Sequence, residues 1–334
     1  MKAMLLRAPA PVAEHPLELA DVSLPEPGPG EIRVAVRACG VCHTDLHIVE
    51  GDIPSHKLPV IPGHQIVGTV DKIGENVTRF QIGDRVGIPW LHETCGACEY
   101  CECDAESLCP NARFTGYDAD GGYAEFTVVR EDFAVPIPAA FGDAKAAPLL
   151  CAGIIGYRAL RVSEVQPGQR LGLYGFGASA HIAIQVARHW DCEVFVFTRS
   201  EAHRELARQL GAVWTGPAED ESPIRLHSAI IFAPAGGLVP EALRVLDRGG
   251  TLALAGITMT PIPQMDYSLL YWERTVRSVA NATRQDAAEL MRLAGEIPIK
   301  TEVEVLPLEQ ANAALERVKH SQSAGATVLE VASC

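Results

Sequence analysis

Four closely spaced cysteines constrain what this chain can fold into. Cys95, Cys98, Cys101 and Cys109 follow the pattern C-x2-C-x2-C-x7-C, which lets one loop present four thiolates to a single tetrahedral zinc ion. Because four protein ligands leave no position for a substrate, a site of this kind holds structure and performs no chemistry. The sequence therefore predicts a structural zinc site in this loop.

The length and charge of the chain exclude several classes of protein. At 334 residues the chain is too long for one ordinary core and suits two domains. Its 28 basic and 42 acidic residues give a formal net charge of −14, which opposes binding to a phosphate backbone. No apolar run is long enough to span a bilayer, and the first residues lack the pattern of a secretory signal. We therefore predict no nucleic-acid partner and no membrane partner.

The use of cysteine favours metal ligands over disulfides. The chain is long, lacks a signal sequence and has ten cysteines, four of which form the cluster above; this pattern indicates a reducing, cytoplasmic location. Cys103 lies inside the cluster but outside its spacing. Cys39, Cys192 and Cys334 are interpreted as spare or core thiols.

The first 150 residues have the pattern of a β-rich domain. Residues 31–37 alternate between apolar and polar side chains, as expected of a strand with one buried face, and residues 65–73 and 123–129 are similar. Many short strands separated by Gly and Pro predict a partly closed barrel.

The pattern changes after Cys151 to strands that alternate with helices. The predicted strands are 170–174, 193–197, 229–232 and 251–255, and the predicted helices are 179–190 and 201–210. This alternation predicts an α/β domain with a doubly wound parallel sheet. We assign residues 153–279 to that domain, and residues 1–152 and 280–334 to a discontinuous first domain.

A glycine-rich turn between a predicted strand and helix indicates a nucleotide site. Gly175 permits the tight turn, Gly177 lets the backbone approach a pyrophosphate at the helix N-terminus, and Ala178 follows it. Ala180 replaces the third glycine of the usual pattern and is still small enough for close helix–strand packing. Without its place in a βαβ unit, the motif would be about as consistent with a simple structural turn.

The end of the next predicted strand bears on the choice of cofactor. An NAD site usually has an acidic residue there, roughly 20 residues after the glycine turn, to bind the ribose hydroxyls. This chain instead has Thr198, Arg199 and Ser200, which suit a 2′-phosphate. The residues favour NADP(H) over NAD(H), although Glu201 and an Arg199 that is merely solvated are arguments for the alternative.

Three further candidate ligands, Cys42, His64 and Cys151, are distant from one another in the sequence. Taken singly, Cys151 would be a buried thiol and His64 a loop histidine. The whole chain, however, resembles the zinc-dependent alcohol dehydrogenases of the medium-chain dehydrogenase/reductase family. The resemblance rests on five motifs in order: residues 40–47 (GVCHTDLH), Pro-Gly-His at 62–64, the four-cysteine cluster, Cys-Ala-Gly at 151–153, and the glycine turn.

The resemblance implies a GroES-like catalytic domain, a Rossmann cofactor domain and roles for individual residues. Cys42, His64 and Cys151 would hold a catalytic zinc with one position open, and Asp45 would orient that site. Thr44 and His47 would relay the hydroxyl proton to water, since histidine titrates near neutral pH; read without the resemblance, His47 would be an exposed loop histidine. His43 would approach the cofactor pyrophosphate. Each chain would therefore bind two zinc ions.

Comparison with the same family identifies one residue of the substrate pocket and several positions at which this chain differs from the family pattern. Trp90 matches an aromatic position beside the zinc, where an indole favours short or slim alcohols; a packing role is the alternative. Gln65 and Ile155 replace a usual glutamate and threonine, and Ala326 replaces an arginine that reaches the cofactor phosphates. Arg284 either supplies the cation that the replaced arginine would have given to the cofactor phosphates, or is a solvated arginine at a helix start.

The sequence thus predicts an alcohol dehydrogenase/aldehyde reductase that transfers hydride between primary alcohols and NAD(P). Polyol or secondary-alcohol dehydrogenases of the same fold are the first alternative. A non-catalytic zinc-lobe binding protein and a nucleic-acid-binding zinc ribbon are alternatives from other classes. The resemblance implies a homo-oligomer, either a dimer or a tetramer.

Overall fold

The structure of the protein is a computed structural model that describes residues 1–220, 222–320, 322 and 325–331. Cys334, interpreted above as a spare or core thiol, lies outside these residues. The chain folds into two units, Met1–Cys151 with Thr283–Cys334 and Ala152–Ala282. The predicted boundaries differ from these by one residue at the first junction (152 against 151) and by three at the second (279 against 282).

The chain before residue 152 contributes mostly short strands to the first unit. The strands are β1 (Lys2–Leu6), β2 (Leu17–Asp21), β3 (Glu31–Val41), β4 (Gln65–Ile73), β5 (Arg85–Ile88), β6 (Leu91–Glu93), β7 (Arg113–Phe114), β8 (Phe126–Arg130) and β9 (Val135–Pro136). The helices are α1 (His43–Glu50), α2 (Glu99–Glu102) and α3 (Asp143–Ala146). Short 3-10 helices cover Val12–Glu14, Glu106–Leu108, Glu131–Phe133 and Ala147–Leu150.

The second unit alternates helices with parallel strands. Its elements are α4 (Ala152–Val162), β10 (Arg170–Tyr174), α5 (Ala178–His189), β11 (Glu193–Phe197), α6 (Glu201–Gln209), β12 (Trp214–Gly216), β13 (Leu226–Ile231), α7 (Leu238–Val245), β14 (Leu246–Leu254), a 3-10 helix (Tyr267–Leu269) and β15 (Thr275–Ser278). The sheet order is β12-β11-β10-β13-β14-β15, with every neighbouring pair parallel. Because helices cover both faces of a doubly wound sheet, the apolar residues of β10 and β11 are buried on both sides. The predicted α/β fold class is confirmed.

The chain after residue 282 returns to the first unit. It forms α8 (Arg284–Glu296), β16 (Val303–Pro307), a 3-10 helix (Leu308–Gln310), α9 (Ala311–Lys319) and β17 (Ala326–Glu330). The main sheet of this unit has the order β16-β17-β3-β4-β5-β9, and β8 also pairs with β3. Within the described part of the chain, no helix is both long and apolar enough to cross a membrane.

Strand β3 organises the first unit. It pairs along its length with β4, at its start with β8 and at its end with β17. Register shifts between Arg33 and Val34 and between Val36 and Ala38 interrupt the β3–β4 ladder; bulges of this kind bend a strand and increase its twist. β3 ends at Val41, so this sheet fixes the backbone that leads directly into Cys42.

Candidate active site and metal centres

Two adjacent strands bring Cys42 and His64 together. In the β3–β4 pairing Gly40 lies opposite Gln65, so the residues that follow β3 and precede β4 are neighbours. Cys42 is the N-cap of α1, and His64 immediately precedes β4. Cys151 follows the 3-10 helix at Ala147–Leu150. The three donor atoms lie within 4.8 Å of one another.

The backbone before His64 requires glycine. Gly63 has a φ of 97°, in the left-handed region that L side chains rarely adopt. A Cβ atom there would lie 2.4 Å from the Tyr123 ring and 2.9 Å from Cys39 Sγ. Gly63 therefore permits both the turn and the close packing that place His64 beside Cys42.

The three donors fit a tetrahedral metal ion. Bonds of about 2.3 Å to sulfur and about 2.05 Å to nitrogen imply a sulfur–nitrogen separation of about 3.6 Å. The Cys42 Sγ to His64 Nε2 distance is 3.5 Å. Three protein donors rather than four leave one position for another ligand, which is the arrangement of catalytic zinc sites.

Asp45 orients the histidine of this cluster. Its Oδ1 accepts from His64 Nδ1 at 3.0 Å, which leaves His64 Nε2 free to face Cys42. Its Oδ2 accepts from the Cys42 backbone N–H at 3.0 Å, as part of the capping box of α1. Burial raises the pKa of Asp45, and the neighbouring His64 opposes that shift. One carboxylate thus fixes two members of the donor set.

The surroundings of the Cys42 thiol favour its deprotonated form, the thiolate. A hydrogen bond with the Cys151 thiol holds the pKa of Cys42 well below the usual thiol value despite the opposing effect of burial, and the neighbouring His64 lowers it further. The backbone N–H of Thr44 also donates to Cys42 Sγ at 3.3 Å. Because the thiolate is the form that binds metal, this environment favours coordination.

The four-cysteine loop forms a second donor set. Cys98 Sγ lies 3.5 Å from Cys101 Sγ, and Cys95 Sγ lies 3.6 Å from Cys109 Sγ and 4.0 Å from Cys101 Sγ. These separations are close to the value of about 3.8 Å that tetrahedral zinc–thiolate bonds imply. Backbone N–H donation from Ala97, with the Cys109 thiol, lowers the pKa of Cys95 to about 6. The donor set fits a closed, structural zinc site.

The fifth cysteine of this loop lies apart from the donor set. Cys103 is exposed, and its sulfur lies 3.7 Å from the Tyr100 carbonyl. It is absent from the group of four whose donor atoms converge. This placement matches its position outside the ligand spacing in the sequence.

Helix α1 carries the residues predicted to move the proton. Thr44 and His47 are three positions apart on this helix and therefore share a face. His47 Nδ1 lies 2.7 Å from Asp52 Oδ2, a contact that sequence reasoning missed because Asp52 follows the helix after the turn at Gly51. His43, the first residue of α1, is exposed.

Trp90 lies against the histidine of the three-donor cluster. Its ring is 4.9 Å from His64 in an edge-to-face arrangement, and it stacks on Phe114 at 4.9 Å. Tyr117 lies 6.0 Å away on the same stack, and its hydroxyl donates to the Pro54 carbonyl. The indole is therefore held in place beside the donor set.

The glycine turn of the second unit has the predicted form. Gly175 has a φ of 84°, and a Cβ atom there would lie 3.0 Å from Ala233. Gly177 is the N-cap of α5 and has no side-chain cap, with open space where its Cβ would project. Ala178 is the first residue of α5, and Ala180 is buried. The unpaired N–H groups at this helix start are suited to a phosphate.

The strand tip after β11 presents a cation and two hydroxyls. Thr198 is buried and Arg199 is exposed. Ser200 is the N-cap of α6, and its Oγ accepts from the His203 N–H at 3.3 Å, which leaves its hydroxyl hydrogen available. Arg204 donates to the carbonyls of this strand tip, and sequence reasoning missed it. An ion pair with Glu201 could have been expected, because the two residues are three positions apart on a predicted helix.

Arg284 has a partner within the first unit. Its backbone N–H and its Nε both donate to Glu106 Oε1, at 2.8 Å and 3.2 Å, and Glu106 is almost fully buried. The guanidinium also lies 5.1 Å from the Phe133 ring. These contacts give Arg284 a structural partner, which neither predicted role included, and its use as a cation for the cofactor phosphates stays a prediction.

Comparisons with known proteins agree with this geometry. The family models described as "Alcohol dehydrogenase GroES-like domain" and "Zinc-binding dehydrogenase" match residues 28–139 and 180–296. The "Probable alcohol dehydrogenase AdhA" of Mycobacterium tuberculosis (strain CDC 1551 / Oshkosh) is 50% identical over 335 residues, covering 98% of this chain and 97% of that protein.

Two similar solved structures differ in their cofactor. An NAD-dependent alcohol dehydrogenase superposes with a TM-score of 0.91 at 26% identity, covering 99% of this chain and 100% of that one. CAD from Helicobacter pylori complexed with NADP(H) has a TM-score of 0.86 at 25% identity, covering 98% of this chain and 97% of that one.

The matched families and the two donor sets define a zinc-binding dehydrogenase. The chain belongs to the zinc-type medium-chain alcohol dehydrogenases. The predicted family and reaction class, an oxidoreductase acting on small-molecule alcohols, are thereby confirmed.

Proposed function

We propose that the protein is a zinc-dependent dehydrogenase of primary alcohols, and reductase of their aldehydes, that uses NADP(H). It binds one catalytic and one structural zinc per chain. The observation that carries the proposal is the difference between the two donor sets, three convergent donors in one and four in the other. Only the set of three leaves a coordination position for a substrate oxygen.

Two residues of α1, Thr44 and His47, are proposed to transfer the proton of the substrate hydroxyl to water. Cys42, His64 and Cys151 would hold the zinc ion, which would supply Lewis acidity, and a bound nicotinamide nucleotide would supply the hydride chemistry. The Thr44 hydroxyl accepts the proton of the substrate hydroxyl and passes it along the helix face to His47. Because Asp52 occupies Nδ1 of His47, Nε2 is the nitrogen that takes the proton before releasing it to water.

The proposed preference for NADP(H) rests on the strand tip after β11. Arg199 and the Ser200 hydroxyl suit a 2′-phosphate, and no carboxylate terminates the strand itself. We expect the purified enzyme to oxidise NADPH faster than NADH over a panel of short and aromatic aldehydes. Equal rates, or a preference for NADH, would contradict the cofactor assignment, whereas no turnover with either would contradict the reaction class or its substrates.

Asp45→Asn is expected to weaken metal binding at the three-donor site by about 10- to 100-fold, the usual effect of losing a partner of a metal-bound histidine. The neutral amide keeps the shape but orients His64 less firmly. Competition with a colorimetric chelator measures the affinity. Asp286→Asn is the matched control, because Asp286 is likewise a buried carboxylate in a capping box, at the start of α8. A similar loss of metal in both variants would contradict the prediction.

Trp90→Ala is expected to raise kcat/KM for branched and aromatic aldehydes relative to acetaldehyde by about tenfold, since pocket space is worth roughly 1–3 kcal/mol per methylene-sized change. The fixed stack against Phe114 means that the native indole cannot move aside for a bulky substrate. Steady-state kinetics over an aldehyde series measures the ratio. Trp190→Phe, a change at a tryptophan of the second unit, should leave it unchanged; an unaltered ratio in Trp90→Ala would favour a packing role.

We also propose a homo-oligomer assembled through the second unit. Strand β15 is at the edge of its sheet and is mostly exposed, which leaves its outer hydrogen-bonding groups available. Tyr267, Tyr271 and Trp272 nearby in the sequence are exposed large aromatics. Light scattering after size exclusion distinguishes a monomer, which would contradict the proposal, from a dimer or a tetramer. The cytoplasmic location stays a prediction.

A further inference from the structure

Arg204 holds the turn that is expected to receive the ribose end of the nucleotide. Its Nε donates to the Thr198 carbonyl at 3.0 Å, and its Nη2 donates to the Arg199 carbonyl at 3.0 Å. The side chain is only 23% exposed. Two carbonyl contacts from one planar guanidinium fix the direction of the strand tip more firmly than a flexible ammonium could.

The remaining terminal nitrogen of Arg204 contacts Glu201, the carboxylate that directly follows the strand tip in the sequence. Its Nη1 lies 2.9 Å from Glu201 Oε2, and Arg208 contacts Glu201 Oε1 from the next turn of α6 at 3.2 and 3.3 Å. Both carboxylate oxygens are therefore occupied. Glu201 is held along the helix surface by two arginines, with its charge compensated.

The same arrangement leaves Arg199 as an available cation. Among the residues that the structure describes, its exposed guanidinium has no hydrogen bond or ion pair. The Ser200 hydroxyl hydrogen is also available beside it. The tip thus presents a free positive charge and a donor, while the carboxylate of Glu201, the next residue in the chain, is already paired.

We propose that Arg204 is a positioning residue that selects nucleotides carrying a 2′-phosphate. It fixes the turn that displays Arg199 and Ser200, and it withholds Glu201 from the ribose hydroxyls that an acidic residue would otherwise bind. The inference rests on the proposed function for the use of a nicotinamide nucleotide. Beyond that function, we propose that Arg204 and the ribose hydroxyls compete for the Glu201 carboxylate, and that this competition sets the choice of cofactor.

Binding measurements with NADPH, NADH, 2′,5′-ADP and 5′-AMP test this without turnover. In Arg204→Gln we expect NADPH and 2′,5′-ADP to bind about tenfold more weakly, and NADH and 5′-AMP to bind more tightly, because Glu201 is released. The gain for NADH should vanish in the double variant Arg204→Gln/Glu201→Gln. In Glu201→Gln alone, NADH affinity should change by less than about twofold, since the carboxylate is already occupied.

Arg244→Gln is the matched control, because Arg244 pairs with Glu241 at the same spacing on α7; it should leave all four affinities unchanged. An equal loss for phosphorylated and unphosphorylated nucleotides in Arg204→Gln would overturn the proposal in favour of a purely structural role. A large loss of NADH binding in Glu201→Gln would also overturn it, because Glu201 would then already bind the ribose. If no aldehyde is reduced yet these affinities change as expected, the proposed reaction fails and this inference survives.

Discussion

Cys151→Ala is expected to lower kcat/KM for alcohol oxidation by at least about 10³-fold, because losing roughly 4 kcal/mol of Lewis-acid stabilisation has that effect on a rate. With Cys151 absent, the first donor set retains only Cys42 and His64, and two donors do not hold zinc in the required geometry. The metal content should fall from about two ions per chain to about one. Steady-state kinetics and elemental analysis of the same preparation measure both effects.

The control for this experiment is Cys192→Ala. Cys192 is also a fully buried thiol, but it lies in the second unit and its sulfur contacts the carbonyls of Gln166 and Trp190. Its replacement should cost about 1 kcal/mol of stability and leave the metal content unchanged. Retention of both metal ions and of activity in Cys151→Ala would contradict the assignment of Cys151 as a ligand.

Cys109→Ser removes the buried ligand of the four-cysteine loop and is expected to destabilise the enzyme strongly. A metal bound only in the folded state adds about 4 kcal/mol when its free concentration is a thousandfold above the dissociation constant. The variant should lose one metal ion per chain and unfold at a lower temperature. Calorimetry with matched metal analysis measures this.

Cys103→Ser is the internal control in the same loop. Because Cys103 is exposed and outside the convergent donor set, its replacement should change neither the metal content nor the melting temperature. If Cys103→Ser lost metal as readily as Cys109→Ser, the assignment of ligands by spacing would be wrong. Unaltered stability in Cys109→Ser would instead show that the loop needs no metal to fold.

Much of the second unit could be predicted because its strands are short apolar runs between turn residues. The predicted ranges for β10 and β11 equal the observed ones, as does that for β4 in the first unit. β12 and β15 were missed because they are short edge strands with little apolar periodicity. β8 begins three residues later than predicted because Tyr123 and Ala124 instead contact β1, through the Met4 N–H and a bridge to Ala3.

Only part of the candidate site could be predicted from the residues and their spacing. The loop cysteines are close in sequence, so their spacing carries the geometry. Cys42, His64 and Cys151 are brought together by pairing of distant strands, which spacing cannot reveal; only the family resemblance linked them. The contact between Glu106 and Arg284 spans 178 positions, so the partner of Arg284 could not be anticipated.

The division of the first unit has a consequence for synthesis on the ribosome. The strand that leads to Cys42 completes its pairing only when β17, at Ala326–Glu330, is available. The second unit is continuous and ends at Ala282, so its whole sheet can emerge and fold while the remaining chain is still being translated. The nascent protein would therefore acquire its nucleotide fold first and complete the sheet behind its reactive metal site last.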